Sequence, residues 1–212
     1  MKARPLSILC LGAHPDDIEI GCGGTVLALL ANGRMVSCHW VVFSGGGTPR
    51  EAEARTSAAR FLARAKRQQV DVHSFRDGFF PYVGGDIKDA FEELARTVAP
   101  DAIFTHARHD RHQDHRVISD LTWNTFRRHL ILEYEVPKYD GDLGTPNLFV
   151  PLARDVARAK VRHLLAVFRS QRSKRWFTAD TFNGLLRLRG VESGAPAGLA
   201  EAFYGRKLLV RL

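Results

Sequence analysis

Two short polar clusters hold most of this chain's capacity for chemistry. The first is His14-Pro15-Asp16-Asp17, an imidazole and two carboxylates that follow an apolar run. Pro15 fixes its own φ and favours an extended conformation at His14. One carboxylate here could cap a following helix, whose N-terminal dipole favours anions. Two adjacent carboxylates exceed what a cap needs, and a divalent cation would offset their repulsion and lower their pKa values. The second cluster, His106 to His115, packs four histidines and two aspartates into ten residues, out of nine histidines in the whole chain. His112 and His115 share a face if a helix starts there. Both could ligate one ion, or one could ligate while its neighbour acts on substrate. Asp114 could accept the second N–H of an imidazole and fix its tautomer. His106 and His109 read as structural or supporting groups.

Together the clusters suit a catalytic zinc plan: two histidines, one carboxylate and a fourth position left for water. The spare carboxylate of the first cluster is then a candidate base, since zinc lowers the pKa of water to about 7 and a neighbouring carboxylate can take the proton. A phosphate cradle fits less well. Gly21-Cys22-Gly23-Gly24 opens a helix after a strand, but its spacing is not GxGxxG, and Asp16, Asp17 and Glu19 would repel a pyrophosphate. These glycines read as places where helix and sheet pack closely.

The elements that must position these groups alternate in type. Strands are expected at Leu6–Gly12, Val36–Phe43, Val70–Phe75, Ala102–Thr105 and Leu130–Val136. Helices are expected at Ile20–Asn32, from Thr48 to about Ala65, at Ile87–Val98 and at Asp114–His129. The third residue group, Thr48-Pro49-Arg50-Glu51, supplies an N-cap, a proline at the first helical position and a capping-box glutamate. This alternation predicts an α/β, three-layer, Rossmann-like fold, a mostly parallel sheet with helices on both faces. Residues 1–212 read as a single domain, with a regular core over 1–136 and a smaller C-terminal helical and loop subdomain over 137–212. That tail holds a loop at Tyr139–Asn147, helices at Ala153–Phe168 and Ala179–Leu188, and a last strand at Lys207–Val210. In open α/β sheets, ligands bind beyond the carboxyl ends of the strands. His14–Asp17, Ser44–Arg50 and His106–His115 each follow a strand, so three polar loops converge on one edge.

Composition narrows the class. The chain has 212 residues, 45% of them hydrophobic, enough for one substantial core. The first apolar run ends in His14-Pro15-Asp16-Asp17 instead of a small-residue cleavage site, so it reads as a strand and not a signal peptide. No apolar stretch is long enough to cross a bilayer, and a cytoplasmic location without stable membrane insertion is expected. Cys10, Cys22 and Cys38 lack paired spacing and suit a reducing compartment; Cys22 reads as packing. A formal charge of +8 suggests anionic partners. The basic residues spread along helices, however, and the densest group, Arg169 to Arg175, belongs to no recognisable nucleic-acid module. No nucleic-acid partner is expected.

At the two clusters the sequence resembles the PIG-L (LmbE-like) deacetylases. Ala13-His14-Pro15-Asp16-Asp17-Ile18-Glu19 fits that family's AHPDDxE motif, and His112-Gln113-Asp114-His115 its HxDH motif. Arg50-Glu51-Ala52-Glu53-Ala54 matches the RxxEA segment between them, and Asp77-Gly78 a DG. Ala200-Glu201-Ala202-Phe203 is also similar, so the resemblance covers nearly the whole chain. It implies a hydrolase that removes an N-acetyl group from a GlcNAc-type amino sugar, with Zn2+ or another divalent metal held by His14, Asp17 and His115. Asp16 would be the general base. His112, protonated and oriented by Asp114, would stabilise the oxyanion or protonate the leaving amine. Arg50 would bind substrate, in preference to a salt bridge with Glu53. The resemblance is compatible with a homo-oligomer.

The family's substrates suggest N-acetylglucosamine carried on inositol, a lipid, a thiol precursor or an antibiotic. The segments 139–147 and 170–177 would shape the far end of the pocket, and a basic pocket would welcome a phosphate or malyl group. Three rival readings stand beside this one. The same zinc machinery would serve another N-acyl or thiol-conjugate amide. His14-Pro15-Asp16 with a distant His115 fits the HxD…H pattern of iron(II) oxygenases, which are usually built on all-β barrels. A non-catalytic basic binding protein would show nucleic-acid affinity that falls steeply with salt.

Overall fold

In the computed structural model, which describes residues 4–33 and 35–209, four apolar runs and one largely polar edge segment, which begins at Arg67 and not at the expected Val70, become parallel strands. They are β1 (Leu6–Gly12), β2 (Val36–Ser44), β3 (Arg67–Phe75), β4 (Ala102–His106) and β5 (Leu130–Tyr134). Two more strands, β6 (Leu148–Pro151) and β7 (Ala200–Gly205), add antiparallel pairings at one side. The full order is β3-β2-β1-β4-β5-β7-β6. Six helices connect them: α1 (Asp17–Ala31), α2 (Pro49–Phe61), α3 (Gly84–Thr97), α4 (Gln113–Thr125), α5 (Arg154–Val167) and α6 (Ala179–Glu192). This is the expected α/β architecture.

Alternation along the central strands builds a core on each face. Ile8 and Cys10 of β1 join Cys38, Trp40 and Phe104 against α1, α2, α5 and α6. Leu9 and Leu11 face the other way, with Val41, Phe43 and Ile103, against Ile87 and Phe91 of α3 and Ile118 of α4. Strands covered on both faces need apolar residues at every position, which is why these runs are continuous. The three cysteines are free and buried, with Cys10 Sγ 4.0 Å from Cys38 Sγ. Among the described residues no helix is long and apolar enough to cross a membrane.

The elements depart from the sequence reading in ways that have physical causes. The last strand is Ala200–Gly205, not Lys207–Val210. Residues 207–209 form no strand and Leu209 is 86% exposed, while Val210 lies outside the described residues. What hid β7 is Glu201, a charge at the second position of a buried strand, where it pairs with Lys160 of α5 (2.5 Å). Strand β6 went unexpected because it is four residues long and ends in Pro151, tolerable only at a sheet edge. Both strands extend the same sheet, so the tail contributes more than helices and loops. Helix α4 stops at Thr125 and β5 at Tyr134, short of His129 and Val136. Helix α1 starts at Asp17, three residues before the expected Ile20, and this shift sets the geometry of the site.

Close packing explains the glycines of α1. A Cβ on Gly21 would lie 2.1 Å from Tyr134 Cδ2, inside a fully buried ring. By contrast, Gly184 in the interior of α6 has open space around it. Gly21→Ala is therefore expected to lower the unfolding free energy by about 2–3 kcal/mol through overpacking. Gly184→Ala should raise it by roughly 0.5–1 kcal/mol through helix propensity. Urea unfolding of the two variants checks both signs; equal effects would refute the packing account.

Candidate active site

β1 lies between β2 and β4, so the chain leaves β1 towards one side of the sheet and β4 towards the other. Such a switch point leaves a crevice beyond the carboxyl ends of the two strands. Both polar clusters fall there, each at the start of a helix. Asp16 is the N-cap of α1, and His112 is the N-cap of α4, its Nδ1 accepting from the Asp114 backbone N–H (3.3 Å). Asp17 Oδ2 accepts from the His14 backbone N–H (2.7 Å), which folds the turn back on itself.

Three side chains converge in this crevice. His14 Nδ1 lies 3.1 Å from His115 Nε2 and 3.2 Å from Asp17 Oδ2, and His115 Nε2 lies 3.4 Å from the same oxygen. Three donors about 2.0–2.1 Å from one tetrahedral centre would stand roughly 3.3–3.4 Å apart, so the spacing fits a single cation. The opposite edge of each imidazole is engaged by carboxylates. His14 Nε2 faces Asp77 Oδ1 (3.1 Å) and Asp114 Oδ2 (3.2 Å), and His115 Nδ1 faces Asp110 Oδ2 (2.9 Å). That arrangement turns the remaining nitrogens towards the shared point. Overlapping donor groups bring His112, His106, Asp77 and Asp114 into the same cluster.

The electrostatics follow from burial and proximity. Burial opposes charge on Asp17, but His115 and His14 outweigh it and hold the carboxyl well below its usual range. Burial likewise disfavours His14 and His115 as cations, and Asp17 with the flanking carboxylates nevertheless lifts both. His106 behaves oppositely: burial, then His115, lowers it to about 4. Its Nε2 accepts from the Ala13 backbone N–H (3.0 Å) and its ring stacks on His115 at 3.9 Å. His106 is thus a neutral wall of the site. His109 lies elsewhere, edge-on to Tyr204.

Asp16 is held from the α2 side. Thr48 Oγ1 accepts from the Arg50 backbone N–H (3.2 Å), and Arg50 NH2 donates to Asp16 Oδ1 (2.7 Å), with NH1 3.9 Å from Asp77 Oδ2. The loop before α2 abuts the first cluster: Gly45 has φ +92, and a Cβ there would lie 2.8 Å from Pro15 Cγ. Glu53 does not pair with Arg50; it accepts from the Ser170 backbone N–H (2.9 Å) and hydroxyl. Arg50 Nε is buried without a partner among the described residues, a donor still to be met. The capping box also closes one residue early, with Glu51 accepting from Gly47 N–H instead of Thr48 N–H.

Two expectations change. The Asp114 carboxylate serves His14 and the backbone N–H groups of Gly78 and Phe80, so its link to His112 runs through the backbone alone. A ring that accepts at Nδ1 carries its proton on Nε2, and burial, then His115 and His14, lowers the His112 pKa. In this geometry His112 Nδ1 is the acceptor and Nε2 the donor, and the lowered pKa disfavours the protonated imidazole expected. Three groups escaped the sequence reading. Asp77, whose carboxyl is lowered to about 2 chiefly by its His14 hydrogen bond, was visible only as a DG pair. Asp110 was visible only as part of a dense cluster. Lys138 gave no signal at all. Its buried Nζ lies 3.0 Å from Asp110 Oδ1 and 2.6 Å from Asp142 Oδ2. A cavity of about 260 Å³ opens over these groups and reaches Tyr139, Gln171, Lys174 and Trp176, in the two segments expected to shape its far end.

The GlcNAc-PI de-N-acetylase (PIG-L) family model matches residues 9–126. The chain is 28% identical over 136 residues to the uncharacterized deacetylase YaiS of Escherichia coli (strain K12), covering 61% of this chain and 74% of that one. Its fold is similar to the N,N′-diacetylchitobiose deacetylase of Pyrococcus horikoshii, with a TM-score of 0.67 at 22% identity over 93% of this chain and 82% of that one. It is also similar to GalB, the 4-carboxy-2-hydroxymuconate hydratase of Pseudomonas putida KT2440, with a TM-score of 0.77 at 16% identity over 98% of each.

The Lys138 ammonium is the cation shared by two buried carboxylates. Lys138→Met should destabilise the fold by roughly 2–3 kcal/mol, because it removes the shared ammonium and leaves Asp142 only the Arg111 backbone N–H, and Asp110 only His115 and the His112 backbone N–H. Adding Asp142→Asn should recover part of the loss. Urea midpoints of the single and double variants decide the matter, and a single-variant loss below about 1 kcal/mol would refute the pairing.

Proposed function

Because the chain belongs to the PIG-L, or GlcNAc-PI de-N-acetylase, family, we propose that it is a zinc-dependent hydrolase that removes the acetyl group from the nitrogen of an amino sugar. The observation that carries this reading is the convergence of His14 Nδ1, Asp17 Oδ2 and His115 Nε2 within 3.1–3.4 Å of one another, with the Asp16 carboxylate in the same cavity. His14, Asp17 and His115 would hold the cation. Two imidazoles and a carboxylate suit zinc, which when bound would supply Lewis acidity towards a water and the acyl oxygen.

The chain's own groups supply the remaining steps. Arg50 fixes Asp16 through Oδ1, which leaves Oδ2 to take the proton of the attacking water. As negative charge builds on the acyl oxygen, the His112 Nε2–H donates to it. Asp16 then returns the proton to the departing nitrogen, the C–N bond breaks, and acetate and a free amine result. Arg50 Nε, a buried donor without a partner, is available to a sugar hydroxyl. The hydrogen bond between Arg50 and Asp16 fixes the base in the wall of the cavity that His112 also lines.

Zinc-loaded protein is expected to release acetate from at least one of free N-acetylglucosamine, N,N′-diacetylchitobiose and N-acetylglucosaminyl malate or inositol. No acetate from any of them would redirect the assignment to a different amide. Asp16→Ala should keep its zinc and lose about 10²–10⁴-fold in rate, whereas His14→Ala should lose the metal itself. Metal analysis beside activity separates the two roles, and equal zinc loss in both variants would overturn them.

A further inference from the structure

Helix α1 begins at Asp17 in the catalytic crevice and runs about 20 Å to Ala31. At that far end it meets the end of α2 and the start of α5 around a second cavity, also of about 260 Å³. Its walls are largely apolar. Leu30 and Phe61 are buried, and Leu27, Val156 and Ala159 are half-buried. Phe61 is pressed against α1, where a Cβ on Gly23 would lie 2.5 Å from its Cε1. A cavity between helices packed this closely loses little freedom when a ligand enters.

The charges around this cavity are unequal. Arg60, Arg64 and His163 line it together with one acid, Asp155. Arg60 and Arg64 are exposed and make no ion pair or hydrogen bond with another described residue, and the same holds for Arg162. Elsewhere Arg50, Arg55, Arg189 and Arg206 each meet a carboxylate. The His163 imidazole stands edge-on to Phe61 at 5.6 Å, and burial, then the charges of Arg162 and Arg60, lowers its pKa. Asp155 lies in the first turn of α5, where the helix dipole favours it, about 12 Å along the helix from His163. The cavity thus has a cationic end at Arg60, Arg162 and His163, and an apolar length towards Asp155.

We propose that this cavity binds a free single-chain carboxylate, its alkyl chain between α1 and α5 and its head group on Arg60 and Arg162. At about 30 Å³ per non-hydrogen atom the space holds about nine, as many as heptanoate has. An anion satisfies the unpaired guanidiniums, and an alkyl chain covers the apolar walls. Other occupants fit less well. A second copy docked about a two-fold axis would bring the same arginines face to face. A bilayer takes up projecting apolar side chains, whereas this surface is concave. The catalytic groups take no part in this binding.

Amide chemical-shift titrations of the full-length protein with heptanoate, heptan-1-ol and propionate test the site. Heptanoate should saturate with a Kd of about 1 mM and shift the amides of Leu30, Phe61 and Ala159. Heptan-1-ol keeps the chain and lacks the charge, and propionate keeps the charge and lacks the chain. Each should bind at least about fivefold more weakly, and the preference over the alcohol should shrink as salt is raised. The double variant Arg60→Glu/Arg162→Glu should make heptan-1-ol the better ligand. Ala159→Phe, which fills the cavity, should abolish binding of both. Should Ala159→Phe lower the urea midpoint, the charge reversal at two exposed positions decides alone. Shifts confined to the catalytic crevice, no saturation below about 10 mM, equal affinity for acid and alcohol, or an order unchanged in the double variant overturns the site.

Discussion

A carboxylate buried among three imidazoles governs the catalytic end of this fold. Asp17 is shielded from water, and burial alone would drive it to the neutral form. Its ionisation is sustained by His115 and His14, and in return it raises both. Without a cation, protons on the imidazoles balance the carboxylate. A divalent ion at the same point would replace those protons, so occupancy and proton release are coupled. His106 stays outside that exchange, since its Nε2 is committed to the Ala13 N–H.

The sheet makes this burial affordable by bringing two helix starts side by side. β1 and β4 are neighbours although most of a hundred residues separate them, and each delivers a polar turn to the same crevice. Ser44 Oγ, donating to Ala13 O at 2.8 Å, ties the β2 end to the first turn. The same scaffold is found in a deacetylase and in a hydratase. A fold therefore presents loops, and the reaction is decided by what those loops carry. Here they carry the Asp16 carboxylate held by Arg50, His112 at the start of α4 and a point where side-chain atoms of His14, Asp17 and His115 meet.

Much of this was legible in the sequence because its signals are local. Continuous apolar runs marked the central strands, and the two polar clusters stood out by density. What was not legible is non-local pairing. Glu201 disguises β7 because its charge is compensated by Lys160, which comes from a helix forty-one residues away. Asp114 sits beside His112 in sequence, yet its carboxylate reaches His14 across the crevice. The role of Lys138 depends on Asp110 and Asp142 meeting around it, and no spacing announces that. The tautomer of His112 is not legible for a related reason: the backbone N–H that fixes it appears only once α4 has a defined first turn.

The chain divides its tasks along its length. Every proposed cation ligand, the proposed base and the residues that orient them, apart from Lys138, fall within the family match at residues 9–126. The outer wall of the cavity, from Lys138 to Trp176, lies beyond it. Lys138 joins the two parts, since Asp110 contacts its ammonium through one oxygen and His115 through the other. A substitution in the outer wall can therefore alter which molecules enter without disturbing the imidazoles. A change at Lys138 would be felt at both ends, because Asp110 also accepts from the His112 backbone N–H through the same oxygen that meets the ammonium.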